Sequence, residues 1–305
     1  MSESQVLEWP RHTVRLDRTT LAVRHAPATS ADAEPAVMLH GLGGSSLNWT
    51  DLMWVLRDRL DSSAPDLPGH GHSPPPDDGD YSVDGHARSA IRYIQDVVER
   101  AARPVHLFGN SLGGAIATKV AASRPDLVAT LTLVAPALPD LRLRRWSAQV
   151  GVMGLPGLGT MVTRQLRRLS PEQRVEGILE LCFGDPSLVP ISQRLLAAQE
   201  IVRRSRLPYA DDALIRSTRG VVTAYLERGS KNLWREAAKV KAPTLVIYGT
   251  RDRLVSARGA VRAREAFTDI RVVVLPRAGH VAQIEQPEVV AKLFVEMSER
   301  VRYDR

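Results

Sequence analysis

One short segment of this 305-residue chain carries the pattern of a nucleophilic site. The segment GNSLG, residues 109–113, follows the apolar run PVHLFGN and continues into the small-residue run LGGAIATKVAAS. This order predicts a strand, a sharp turn and a helix, with the serine hydroxyl exposed at the turn. The flanking glycines avoid collisions between neighbouring elements. We therefore expect Ser111 to be a nucleophile.

A serine hydroxyl attacks well only when a base takes its proton, so a histidine and an orienting carboxylate are also needed. In a strand–turn–helix site the carboxylate and then the histidine follow the serine along the chain. Of the eight histidines, only His280 lies after Ser111. Asp252 follows the apolar run TLVIYG and is expected at the same sheet edge, whereas Asp269 precedes its strand and belongs at the opposite edge. Ser111, Asp252 and His280 are therefore the predicted catalytic residues.

Acyl transfer also places negative charge on a carbonyl oxygen, and one backbone N–H donor there is worth roughly 3 kcal/mol. The predicted donors are the N–H of Leu112, directly after the nucleophile, and the N–H of Leu42, in the glycine-rich loop HGLGGS. Neighbours of these groups are predicted to contact the substrate, namely His40, Gly41, Asn110 and Val281.

The elements that must position these residues alternate between apolar strands and helices. The runs at 13–18 and 20–26 predict a hairpin, and buried strands are expected at 36–40, 104–110 and 242–250. Such alternation predicts a parallel sheet covered by helices on both faces. It stops after residue 135 and resumes near 240, which predicts a core domain of residues 1–135 and 236–305 and a helical cap of residues 136–235.

Five segments together resemble the α/β-hydrolase superfamily: HGLGGSSLNW, DLPGHGHS, GNSLGGA, YGTRDRLV and AGHVAQIEQP. The resemblance covers residues 35–135 and 236–300. It implies an α/β fold with an eight-stranded, mostly parallel sheet and a helical cap inserted after the sixth strand. It also implies Ser111 as nucleophile, Asp252 as orienting acid and His280 as base. Its DxPGxGxS loop is usually structural, so His70 and His72 are not expected to bind a metal, and no cofactor is expected.

Within the superfamily, the resemblance favours a serine esterase or lipase that acts on carboxylic esters through an acyl-enzyme. Epoxide hydrolases and haloalkane dehalogenases carry Asp where this chain has Ser111. Carbon–carbon bond hydrolases of the meta-cleavage type commonly carry Trp where this chain has Val281, yet they remain an alternative, as do cofactor-free haloperoxidases (perhydrolases). Acyl transfer to an acceptor other than water is a further alternative, and a ligand receptor on the same fold is the non-enzymatic one.

Charge is distributed unevenly along the chain. Residues 136–235 carry 16 Lys and Arg against 9 Asp and Glu, a net charge of +7, and the other residues carry 25 of each. A basic cap can attract an anionic lipid surface, an acidic acyl carrier or an anionic substrate. A solvated basic face is the simpler interpretation, because arginines outnumber lysines 36 to 5 in the whole chain. The basic residues beside the apolar stretch of the cap are Arg142, Arg144, Arg145, Arg164, Arg167 and Arg168.

The remaining composition bounds the compartment and the partners. Cys182 is the single cysteine, so no internal disulfide can form. The first residues lack the apolar segment of a signal peptide, and no apolar run approaches the roughly 20 residues of a membrane span. We therefore expect a cytoplasmic enzyme with a small-molecule ester substrate. No nucleic-acid partner is expected, since no binding motif accompanies the charge. The stretch VGVMGLPGLGTMV, residues 150–162, is expected to form an apolar lid or pocket wall.

Overall fold

The computed structural model describes residues 9–140, 150–155 and 157–303, and an eight-stranded sheet forms its centre. The order across the sheet is β1-β2-β4-β3-β5-β6-β7-β8, in which only the pairs β1–β2 and β2–β4 are antiparallel. The predicted hairpin and the mostly parallel sheet are thus confirmed. The strands are β1 Arg11–Leu16, β2 Thr19–Ala26, β3 Glu34–Leu39, β4 Leu60–Pro65, β5 Val105–Asn110, β6 Val128–Val134, β7 Thr244–Gly249 and β8 Ile270–Leu275.

Helices cover both faces of this sheet and fill the long connection between β6 and β7. The helices whose bounds lie within the described residues are α1 Thr50–Leu56, α2 Val83–Ala101, α3 Leu112–Ser123, α4 Leu158–Arg167, α5 Pro171–Cys182, α6 Ile191–Ser205, α7 Ala210–Leu226, α8 Leu233–Ala237, α9 Gly259–Ala266, α10 Ala282–Glu285 and α11 Pro287–Tyr303. None of the helices in the described part of the chain combines the length and the apolar character that crossing a membrane requires.

Each face of the sheet has its own hydrophobic core. Along β3, Val37 and Leu39 point into the core shared with α2, α3 and α9, whereas Ala36 and Met38 point into the core shared with α1 and α11. This is the two-residue alternation of a strand buried on both faces. Both cores therefore hold the carboxyl ends of the parallel strands rigidly in place.

The cap is built differently from the sheet domain. Helices α5 and α6 enclose a small cluster of four buried residues: Val175, Leu179, Ala198 and Ile201. Helix α8 packs against α3 in the main core, where Leu233 and Trp234 are buried, so the predicted cap boundary at residue 235 runs through a helix that belongs to the core by packing. Residues 141–149 and 156 of the predicted cap, which include Arg142, Arg144, Arg145 and Pro156, lie outside the described residues.

Candidate active site

Ser111 occupies the sharp turn between β5 and α3, with φ 53° and ψ −116°. A positive φ is unfavourable for a residue with a side chain and persists only where the surroundings enforce it. Here the Ser111 N–H donates to the Val134 carbonyl (3.1 Å), and the Ser111 carbonyl accepts from the N–H groups of Gly114 and Ala137 (both 2.9 Å). Three elements thus hold the strained turn that sequence analysis predicted.

The glycines around Ser111 permit close backbone approaches. A Cβ at Gly109 would collide with the Gly113 carbonyl, and a Cβ at Gly113 would collide with the Leu39 carbonyl at the end of β3. A Cβ at Gly41 would lie 3.1 Å from the Ser111 Cβ. The glycine-rich loop after β3 therefore lies directly beside the candidate nucleophile.

His280 and Asp252 form a buried pair at the same edge of the sheet. His280 Nδ1 lies 2.9 Å from Asp252 Oδ2, and the residues are 4% and 1% exposed. The other oxygen, Asp252 Oδ1, accepts from the N–H groups of Leu254 (2.7 Å) and Val255 (2.9 Å). Because the carboxylate accepts the Nδ1 proton, the Nε2 atom of His280 carries the lone pair that can take a proton.

The three predicted catalytic residues follow β5, β7 and β8, whose carboxyl ends share one sheet edge. Asn110 links two of these segments, because its Nδ2 group donates to the carbonyls of Val134 and His280 (both 3.0 Å). These backbone contacts make Asn110 a positioning residue in the structure, and the predicted contact of Asn110 with substrate stays a prediction. Asp269 lies before β8, at the opposite edge, as expected.

The cap also contacts the His280 loop, which sequence analysis missed. The His280 N–H donates to the Cys182 carbonyl at the end of α5 (2.7 Å). Glu285 bridges the same junction, since Oε1 accepts from the Gly279 N–H (2.7 Å) and Oε2 from the Gly184 N–H (2.8 Å). Burial raises the pKa of Glu285 although both N–H groups favour its charged form. Cys182 is free, and burial raises the pKa of its thiol to about 12, so it is a poor nucleophile.

His40 supports the glycine-rich loop from below. The Leu67 N–H donates to His40 Nε2 (2.9 Å), so Nε2 is an acceptor and the proton on Nδ1 is donated to the Gly41 carbonyl (2.8 Å). The ring is fully buried, and this burial lowers its pKa to about 3. Both ring nitrogens of His40 thus contact protein groups and position the loop. The predicted contact of His40 with substrate stays a prediction.

The two predicted oxyanion donors belong to segments that adjoin Ser111. Leu42 belongs to the loop beside Ser111, and Leu112 is the first residue of α3. Within the described ranges, neither backbone N–H donates to a protein acceptor. Val281, predicted to contact substrate, is a buried residue at the start of α10, and its carbonyl accepts from Ile284 and Glu285. Its contact with substrate stays a prediction.

The two histidines of the DLPGHGHS loop do not converge on a metal site. His70 is buried, lies between the rings of His40 and His86 (centroids 5.5 and 5.8 Å away) and has its pKa lowered to about 3 by burial. The backbone N–H of His72 donates to Asp66 Oδ2 (2.8 Å). Over the described part of the chain, no three His, Cys, Asp or Glu side chains are grouped to hold a metal ion.

Comparison with known proteins finds one family model that matches and several similar lipases. The model of the family described as alpha/beta hydrolase fold matches residues 35–287. Lipase 3 from Moraxella sp. (strain TA144) is 28% identical over 264 residues, which are 86% of this chain and 76% of that lipase. Human monoacylglycerol lipase ABHD6 is 26% identical over 260 residues, which are 85% of this chain and 74% of that enzyme.

A solved structure shows the same fold. The crystal structure of a membrane phospholipase A, a bacterial virulence factor, superimposes with a TM-score of 0.77 at 24% identity. The superposition covers 97% of this chain and 88% of the phospholipase chain. Sheet domain and cap together therefore follow an arrangement that occurs in another protein.

Proposed function

Because this chain belongs to the α/β-hydrolase fold family, we propose that it is a serine hydrolase that cleaves carboxylic esters with lipophilic acyl groups. One observation carries the proposal: the buried His280–Asp252 pair lies at the same sheet edge as Ser111, whose strained turn is held by β6. The names of the two relatives, a lipase and a monoacylglycerol lipase, support an ester as substrate.

The proposed reaction follows from the roles that each group can take. Ser111 Oγ attacks the ester carbonyl while His280 Nε2 takes its proton, and buried Asp252 stabilises the imidazolium that forms. The N–H groups of Leu42 and Leu112 stabilise the negative charge on the carbonyl oxygen. His280 then returns the proton to the leaving alcohol. Water hydrolyses the acyl-enzyme in a second step, with His280 again as the base.

The surface of the cap supports a lipophilic substrate and a lipid partner. Helix α4 and its flanks expose the apolar side chains Leu155, Leu158, Met161, Leu166 and Leu169. Arg164 and Arg167 lie on the same helix, and Arg168 is its C-cap. An amphipathic helix with exposed apolar residues and arginines favours the surface of an anionic lipid layer, where apolar burial and charge attraction act together. We propose that this helix brings the cap into peripheral contact with such a surface.

The deciding experiment is hydrolysis of p-nitrophenyl esters from acetyl to palmitoyl. Ser111→Ala should lower turnover on the order of a million-fold while the circular dichroism spectrum is unchanged. Ser123→Ala, at the other end of α3, is the matched control and should keep wild-type turnover. Wild-type-like turnover in Ser111→Ala would disprove the mechanism. A folded wild type that cleaves no ester would favour carbon–carbon bond hydrolysis or a receptor.

A further inference from the structure

A cap arginine lies directly on the loop that holds the proposed oxyanion donor. Arg204, near the C-terminal end of α6, donates from Nη1 to the Gly43 carbonyl at 2.6 Å. Gly43 follows Leu42, whose N–H is the proposed donor. Because the Gly43 carbonyl is neutral, this contact brings no negative charge to Arg204.

The carboxylates near Arg204 are already engaged by other groups. Glu200 pairs with Arg203 (2.6 Å), and Asp66 accepts from the N–H groups of Ser46 (2.6 Å) and His72 (2.8 Å). None of the carboxylates in the described ranges forms an ion pair with Arg204. The guanidinium of Arg204 therefore has N–H groups that can donate to a ligand. It is only partly exposed, so solvent screens its charge incompletely.

Burial is the largest influence on the pKa of Arg204 and lowers it, whereas the nearby carboxylates of Glu200 and Asp66 act in the opposite direction. Arg204 remains charged, since arginine is not deprotonated in proteins.

We propose that Arg204 forms an anion subsite beside the oxyanion loop, which binds a carboxylate or phosphate group of the ester substrate. This inference rests on the proposed function and deepens it. The substrate class is an acyl ester that carries a carboxylate or phosphate close to the scissile bond. Guanidinium groups suit both anions, because two parallel N–H groups can donate to two oxygens of the same ligand.

The test separates this role from a purely structural one. If Arg204 only attaches α6 to the oxyanion loop, its loss impairs neutral and anionic esters equally. We therefore compare 1-decanoylglycerol with 1-decanoylglycerol 3-phosphate, and p-nitrophenyl hexanoate with mono-p-nitrophenyl adipate. Each pair shares its acyl length and differs in the anionic group, phosphate in the first pair and carboxylate in the second.

Arg204→Gln should raise the ratio of KM for an anionic ester to KM for its neutral partner about 10- to 100-fold, the effect of losing a hydrogen bond between charged groups. A loss caused by the missing contact with Gly43 is shared by both esters and cancels in this ratio. Arg204→Lys should restore part of the loss. Arg206→Gln, an exposed arginine two residues further on, is the matched control and should change neither pair. Equal losses on neutral and anionic esters in Arg204→Gln would overturn the subsite. The pair with the larger difference identifies phosphate or carboxylate as the ligand.

Binding measured in the Ser111→Ala variant distinguishes a failure of the anion subsite from a failure of the esterase proposal. Calorimetry should show tighter binding of 1-decanoylglycerol 3-phosphate than of 1-decanoylglycerol, and Arg204→Gln should abolish this preference. A preference for the phosphate without turnover of any ester would retain the subsite and reject the esterase. Turnover of esters without any preference for the anionic partner would reject the subsite and retain the esterase.

Discussion

The sheet edge and the cap meet at one site but are built in opposite ways. At the sheet edge Asp252 and His280 are almost fully buried, and backbone N–H groups satisfy the carboxylate. The cap has a core of four buried residues and carries 12 of the 15 large hydrophobic side chains that the described residues expose. The rigid sheet edge can hold the reacting groups at fixed positions, whereas the apolar and basic surface of the cap can determine which substrate binds.

The two regions are nevertheless connected by hydrogen bonds at the His280 loop and at the oxyanion loop. The Cys182 carbonyl accepts from the His280 N–H, Glu285 joins the His280 loop to Gly184, and Arg204 contacts the oxyanion loop. The cap therefore does more than cover the sheet, since it also supplies contacts that orient the proposed base. Variants that change only one region test whether the sheet edge controls the reaction and the cap controls substrate binding.

The largest effect is expected from Asp252→Asn at the sheet edge. An amide at this position favours the wrong tautomer of His280 and cannot stabilise the imidazolium, so kcat should fall about 10⁴-fold with the fold intact. Steady-state hydrolysis of the best ester measures the loss. Asp269→Asn, at the opposite edge and paired with Arg300, is the matched control and should stay within about twofold of wild type. Similar losses in both variants would contradict the assignment.

Glycine-to-alanine substitutions compare the packing of the two regions. Gly113→Ala places a Cβ against the Leu39 and His40 carbonyls, so we expect a loss of about 3 kcal/mol or more in the free energy of unfolding. Gly177→Ala, in helix α5 of the cap, places its Cβ in open space and should raise stability by about 1 kcal/mol. Urea unfolding measures both. A tolerated Gly113→Ala would show that the sheet edge is less rigid than the structure indicates.

Three neighbouring buried histidines near the oxyanion loop predict that the folded protein loses stability in acid. Burial lowers the pKa values of His40, His70 and His86 to about 3, and His86 Nε2 contacts Ser217 Oγ in the cap (3.2 Å). Below pH 6.5 these histidines bind protons in the unfolded chain, whereas in the folded chain they stay neutral until about pH 3. The free energy of unfolding therefore falls as the pH drops from 6.5 towards 3. Each ring contributes about 1.4 kcal/mol per pH unit at most.

Urea unfolding between pH 7 and pH 4 measures this slope. His70→Asn should reduce the slope of unfolding free energy against pH by the contribution of one histidine, because Asn does not titrate in this range. An unchanged slope in His70→Asn would show that the buried rings are not the cause.

Local patterns allowed much of the sheet edge to be predicted. The G-x-S-x-G turn, the single histidine after Ser111 and the strand before Asp252 together indicated that edge, because parallel strands bring their carboxyl ends together. The contacts of Asn110 with His280 and of Arg204 with Gly43 join residues that are 170 and 161 positions apart. No periodicity encodes such pairings, so the links between cap and site became visible only in the folded chain.

The smallest effect is expected where the apolar cap surface meets lipid. Met161 on α4 and Val261 on α9 are equally exposed, 60% and 61%, but only Met161 belongs to the proposed lipid-facing helix. Met161→Gln should weaken binding to vesicles with anionic lipids by roughly three- to tenfold, since part of one apolar side chain no longer enters the layer. Val261→Gln should leave binding unchanged, and both variants should hydrolyse a soluble short-chain ester normally. Equal effects of the two substitutions in a sedimentation assay would show that exposed apolar area alone determines binding, without a dedicated cap surface.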